Sequence, residues 1–408
     1  MRSVYVLLHR WMGLATALFL FIAGLTGAVI SWDHALDEWL NPSLFHAATQ
    51  GRPLPVLDLA NKIELSDKRG RITYMPLEIE PGHTFMAFVQ PRINPQTQQP
   101  YELGYNQVAL DPSTGAIQAK RMWGKVSLTR ENLLPFLYKL HYSLHIPQGW
   151  GIELGVWLMG IVGIVWVFDT LIAVYISFPN LNAWRKSFSF RWQQGGYRLL
   201  FDFHRSGGVW LWLLLFILAV TSVSMNLKQE VMRPIVSWFS TLSATPFDSR
   251  IPAAIHQPIE PTLPLTQMIA IASEEKKARG WKDPAGALSI STEFGVYAVG
   301  FFTADNSHGD GGLGNPWLYF DSRSGKPAGA DIPGTGSAGD IFLQSMFPLH
   351  SGRIIGMPGR ILVSLLGLLV SGFSVTGVYI WLKKRKVRIH ARVEKVAAST
   401  SLKYPGLS

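Results

Sequence analysis

This 408-residue chain has eleven histidines and no cysteine. Without cysteine there is no disulfide, thiolate-held zinc or iron–sulfur cluster, so any metal centre must use His, Met, Tyr or carboxylate ligands. The histidines are not scattered. His9-Arg10 in "LLHRWMG" and His204-Arg205 in "DFHRSGG" each precede a long apolar run. His141 and His145 in "YKLHYSLHIPQGWG", and His350 in "QSMFPLHSGRIIGMPGR", precede two more. Paired histidines at matching places are the raw material of a metal site built between helices.

The elements that must position them are membrane helices. Trp11–Trp32, Ser206–Leu227 and Ile361–Leu382 are each 22 residues without a formal charge. A fourth run, about 152–178, has Glu153 at its edge and Asp169 inside. Each reaches the roughly 20 residues that cross a bilayer core. The predicted order is a first span over 9–33, an outward segment 34–140, and a histidine segment with the second span over 141–178. A loop over 179–202, a third span over 203–227 and an outward segment 228–345 follow. A second histidine segment with the fourth span covers 346–382, and a basic tail covers 383–408. The first run is too long for a signal peptide and lacks a small-x-small cleavage site, so an uncleaved helix is expected.

The net charge of +10 is unevenly placed. The N-terminus, the 179–205 loop and the tail hold fifteen basic and two acidic residues, against 22 and 25 elsewhere. This is the positive-inside pattern, with both termini cytoplasmic, and not a nucleic-acid surface. The tail "LKKRKVRIHARVEK" suits contact with anionic membrane lipid.

The two outward segments echo each other. "LDLANKI" reads as a helix before the strand-like "ITYMPLEI" and "HTFMAFVQP". "TQMIAIASEEKKARG" likewise precedes "GALSIST" and "VYAVGFFT". Each segment then reaches a hairpin signal, "VALDPSTGAIQA" or "LYFDSRSGKPAG", with turn residues between two strands. An internal duplication is expected: a membrane helix, a small α+β domain and a membrane helix, twice.

His-Arg-x-x-Gly opening a span, the paired Asp-x-x-x-Gly hairpins, "LHYSLHIP" and "PLHSGRIIGMPGR" together resemble the PepSY-associated transmembrane family, from about residue 5 to 386. Within it the chain resembles inner-membrane ferric-siderophore reductases. The resemblance implies a four-helix membrane α-helical bundle bearing haem, and two small α+β PepSY-like periplasmic domains. It also implies a bacterial inner-membrane location.

Two histidines on facing helices can fill both axial positions of a haem iron, and such ligands tune its potential. His9 with His204 is the expected pair near the cytoplasmic face. His350 is expected near the outer face, with His141 or His145 opposite; those two are four apart and would share a helical face. His9 to His34 spans roughly 37 Å of helix, so one haem b near each face is expected. His34 itself reads as a helix-end polar residue. Arg10 and Arg205 either anchor the helices or hold haem propionates, and Arg353 and Arg360 could serve an outer haem similarly. Asp169 either pairs with an arginine, contacts a haem edge, takes up a proton or bonds to a neighbouring helix. Glycines recurring in the spans serve either close helix approach or a flat macrocycle. Trp11, Trp32, Trp150, Trp210 and Trp381 suit an interfacial belt.

No dinucleotide fingerprint stands at a strand–helix junction; "GDGGLGNP" reads as a mobile outward turn. Electrons would therefore come from a quinol or a cytoplasmic reductase. The expected function is one-electron reduction of an Fe(III)-siderophore outside the membrane, with release of Fe(II). The competing expectations are a PepSY-type membrane-anchored binding or regulatory protein without redox activity, and a haem-b quinol oxidoreductase with another acceptor.

Overall fold

The computed structural model describes the backbone of residues 1–178 and 180–403, and the side chains of these apart from 181–183, 393 and 395–403. The end of the predicted basic tail, 404–408, lies outside the described residues. In chain order the main helices are α1 (Arg2–Ile30), α2 (Asp33–Leu40), α3 (Val56–Ser66), α4 (Leu133–Ser143) and α5 (Leu154–Ser177). They continue with α6 (Gly196–Trp210), α7 (Trp212–Asn226), α8 (Leu265–Ala278), α9 (Ala338–Ser351) and α10 (Met357–Lys403). The chain divides into a membrane unit (1–29, 140–228 and 362 onward) and a sheet unit (30–139 and 229–361).

Among the described residues, α1, α5 and α10 are long and apolar enough to cross a membrane. The third span differs from the single helix expected over 203–227. It is a pair, α6 and α7, bent by 73°. The helix widens to a π turn over Phe203–Gly207, and Leu211 then leaves helical geometry at φ −99° and ψ 2°. With 15 residues, α7 alone rises about 22 Å, short of a bilayer core, so a fourth crossing needs both pieces. The flanking helices exceed their expected limits: α1 begins at Arg2, placing His9 inside the helix, and α10 continues through Lys403.

Lipid tails are as apolar as leucine, so close packing holds such helices together. A Cβ on Gly24 would lie 2.5 Å from the Gly367 carbonyl oxygen, and one on Gly367 would lie 2.6 Å from that of Gly24. Gly160 and Gly163 similarly admit Leu227 and Val223 of the third span. Leu18, Phe168, Leu213 and Leu365 remain exposed, an apolar surface suited to lipid.

The sheet unit is built on one antiparallel eight-stranded sheet of order β4-β3-β2-β1-β5-β6-β7-β8. The first outward segment supplies β1 (Gly70–Pro76), β2 (Phe85–Pro91), β3 (Gln107–Leu110) and β4 (Ile117–Arg121). The second supplies β5 (Ala285–Ser291), β6 (Val296–Phe301), β7 (Trp317–Asp321) and β8 (Pro327–Asp331). The two segments, expected as separate domains, meet at β1–β5, where Met75 pairs with Leu288. Gln90 donates to Thr292 Oγ1 at 2.7 Å, and Arg71 pairs with Glu260 across the same seam. Leu59 and Ile63 of α3, and Met268 and Ala272 of α8, join strand residues from both segments in one hydrophobic core.

The predicted hairpins join β3 to β4 and β7 to β8. Asp111 Oδ1 accepts from the Ser113 and Thr114 amides at 2.9 and 3.0 Å; Asp321 Oδ1 accepts from those of Arg323 and Ser324 at 3.1 and 2.8 Å. Gly115 and Gly325 both take φ +71°, where a Cβ would be strained. Burial opposes ionisation of Asp111, but bonds from Thr114, Thr49 and Ser113 outweigh it and hold the carboxyl down to about 2. Asp321 is also lowered to about 2: burial again opposes, and bonds from Ser324, Arg250 and Arg323 prevail.

A carboxyl depressed on folding stabilises above its unfolded value and loses that contribution as pH falls, here from about 4 towards 2. Asp111→Ala and Asp321→Ala should each cost about 1–3 kcal/mol at neutral pH, with the deficit shrinking across that window. Because the core is continuous, both should lower the same thermal transition. Two transitions, each answering to its own variant, would refute a single cooperative sheet unit.

Candidate functional site

The membrane unit brings His9 and His204 together. Their ring centres are 6.3 Å apart with planes at 50°. Two imidazoles whose nitrogens lie about 2 Å from a shared metal have ring centres about 6 Å apart, so the pair is spaced as two ligands of one metal centre would be. Each ring is also held by its second nitrogen. His9 Nδ1 is 2.8 Å from Asp169 Oδ1 on α5. Asp169 thus pairs with a histidine on a neighbouring helix and not with an arginine. His204 lies in the π turn, with Nδ1 3.1 Å from Thr376 Oγ1 on α10. Thr376 donates its own hydroxyl hydrogen to the Gly372 carbonyl at 2.8 Å, which leaves its oxygen to accept from His204.

His141 repeats this arrangement. Its Nδ1 donates to the Ala23 carbonyl at 2.9 Å and lies 3.2 Å from Thr26 Oγ1, whose hydrogen goes to the Ile22 carbonyl. The residue after each threonine is a glycine facing the ring. A Cβ on Gly27 would be 2.9 Å from His141 Cε1, and one on Gly377 would be 3.1 Å from His204 Cε1. In all three histidines the proton is drawn to Nδ1 and the lone pair to Nε2, the tautomer of an Nε2 metal ligand. The sequence reading missed both threonine–glycine cradles. Their signal was present as "LTGAVI" in the first span and "VTGVYI" in the fourth. The glycines also separate into two roles: Gly24, Gly160, Gly163 and Gly367 serve helix packing, while Gly27 and Gly377 make room for imidazoles.

Arg10 and Arg205 each have a buried Nε without a hydrogen-bond partner among the described residues. Arg10 otherwise lies over the Trp11 ring, and Arg205 donates to the Lys186 carbonyl at 2.5 Å. An anionic group would satisfy both idle donors. An apolar cavity of about 430 Å³ lies beside His204, lined by Phe21, Phe203, Gly372, Val375 and Thr376 among others.

The remaining sequence-predicted residues are placed as follows. His145 does not share a helical face with His141, because α4 ends at Ser143 and Leu144 and His145 take φ +53° and +56°. Arg353 is engaged by Asp310 at 2.6 Å, and Arg360 donates to the Ser31 carbonyl at 2.8 Å and covers the Trp32 ring. The glycine-rich turn is fastened there as well, through a 2.8 Å bond from the Gly311 amide to the Arg353 carbonyl. His350 is half-buried in the last turn of α9, within the sheet unit. His34 faces His308, ring centres 5.7 Å apart, at a sheet-unit cavity of about 610 Å³.

Apolar helices of membrane-crossing length, paired intramembrane histidines and an antiparallel sheet define a multi-pass membrane protein. The family described as "PepSY-associated TM region" matches residues 6–384, and the chain belongs to it. No curated protein matches the chain.

The cradles make a steric prediction. Gly27→Val and Gly377→Val should each overpack a histidine and cost about 1–3 kcal/mol, seen as a lower unfolding midpoint in detergent. Gly208→Ala, whose new methyl meets open space, is the control. Midpoints equal to the control would refute the ring-accommodating role.

Proposed function

We propose that the protein is a di-haem oxidoreductase of the bacterial inner membrane, with both termini cytoplasmic, that passes electrons to an external Fe(III)-siderophore and so releases Fe(II). The observation that carries this reading is the His9–His204 pair, two imidazoles from different helices, each with Nδ1 held, at a spacing that would let both ligate one iron. The idle buried Nε atoms of Arg10 and Arg205 beside that pair suit haem propionates. A bis-imidazole haem, when bound, supplies one-electron transfer without covalent chemistry. His9 and His204 would hold and orient the inner group. The Asp169 carboxylate fixes the His9 ring, and with haem bound it would favour the more positive oxidation state and lower the potential. His141, with its own Nδ1 fixed, would be the corresponding ligand for an outer haem. Fe(III) bound by hard oxygen donors needs only an electron, and the reduced ion is held less strongly. The electron donor is a quinol or a cytoplasmic reductase.

The purified protein should carry two haems with bis-imidazole spectra. His9→Ala and His204→Ala should each remove one, while His141→Ala should remove the other. Asp169→Asn should raise one midpoint potential without changing haem content. Pre-reduced protein mixed with ferric hydroxamates and catecholates should yield Fe(II), captured by a chromogenic chelator. Protein without haem would overturn the redox reading and leave the membrane-anchored binding role. Oxidation by other acceptors but by no ferric chelate would leave a quinol oxidoreductase.

A further inference from the structure

Away from the membrane histidines, Glu38, His46 and His83 place one ligand atom each within 4.8 Å of the others. His46 and His83 oppose each other across an isolated antiparallel bridge. Its backbone bonds, Ala47 N to Gly82 O at 2.9 Å and Thr84 N to Phe45 O at 2.8 Å, flank the pair and do not join it. Such non-hydrogen-bonded pairs bring opposed side chains closest, on one face. The two ring centres are 5.3 Å apart. Glu38 reaches them from α2. Its Oε1 lies 3.2 Å from His83 Nε2 and 3.4 Å from His46 Nε2. The neighbouring Asp37 anchors α2: it is buried and accepts from Arg121 Nη1 and Nη2 at 2.9 and 2.6 Å. Backbone pairing and a buried ion pair thus set the backbone positions from which all three side chains project.

A plain reading makes Glu38 Oε1 a hydrogen-bond acceptor shared by two imidazoles. The 3.4 Å separation is long for that, since N–H···O bonds run about 2.7–3.2 Å. Around a tetrahedral ion with bonds of about 2.0–2.1 Å, neighbouring ligand atoms are about 3.3 Å apart, which both separations match. A second observation is independent of these distances. His83 Nδ1 is buried without a hydrogen-bond partner among the described residues, and Glu80 Oε2 is 3.8 Å away. Ligation through Nε2 would put the proton on Nδ1, facing a carboxylate, the support that metal-bound histidines usually have. His83 and Glu80 also line the 610 Å³ cavity.

We propose that Glu38, His46 and His83 bind one divalent first-row transition-metal cation, with Glu80 as a positioning residue behind His83. Two imidazoles and one carboxylate suit Zn²⁺, Fe²⁺, Ni²⁺ or Cu²⁺ over Ca²⁺ or Mg²⁺. The proposal does not rest on the redox reading.

The test uses the full-length protein in detergent, stripped of metal and titrated with Zn²⁺ against a fluorescent chelator. The wild type should bind one more Zn²⁺ than His46→Ala or His83→Ala. Glu80→Gln should weaken that site about tenfold while leaving the stoichiometry unchanged. Co²⁺ should give visible ligand-field absorption in the wild type and lose it in His46→Ala. His46 is exposed, so its variant should keep the wild-type unfolding midpoint. Equal Zn²⁺ stoichiometry and Co²⁺ spectra in the wild type and both histidine variants would overturn the proposal.

Discussion

An imidazole placed among apolar helices is costly unless a ring nitrogen finds a partner. The membrane unit meets this constraint by fixing Nδ1 of His9, His141 and His204 with a carboxylate, a backbone carbonyl and a threonine hydroxyl respectively. The consequence is chemical as well as energetic, because each bond settles the tautomer and aims Nε2. Glycines opposite His141 and His204 make room for these rings, and a π turn carries His204. A π turn inserts an extra residue into the helical repeat and changes which side chains face inward, and such turns recur at functional sites.

The sheet unit solves a different problem. Four strands from either segment would expose an edge along β1 or β5, and unpaired edges invite wrong partners. Pairing the two edges covers both and merges two small cores into one. Larger cores bury a greater share of their surface, which small domains do poorly. The same unit keeps its polar side chains ordered through buried pairs such as Asp37–Arg121, and these hold α2 where Glu38 meets the two bridged histidines.

Much of this was legible in advance. The hairpins followed from Asp and Gly at fixed offsets, because turn chemistry is local. The crossing segments followed from length and lack of charge. The pairing of His9 with His204 was readable from an echo between two halves of the chain. The role of Asp169 was not, since a lone carboxylate in an apolar run is compatible with several partners 160 residues away. His141 and His145 looked equivalent at a spacing of four until the backbone turned left-handed between them and separated their directions.

Sequence by itself determined the membrane class, the family motifs, the paired hairpins and the histidines worth watching, because these depend on composition, period and local turn preference. Tertiary structure alone decided which threonine and glycine cradle His141 and His204, the 73° break in the third span, the joining of eight strands into one sheet, and the meeting of Glu38 with His46 and His83. Those outcomes depend on contacts between residues far apart in the chain, and no local pattern encodes the distance between them.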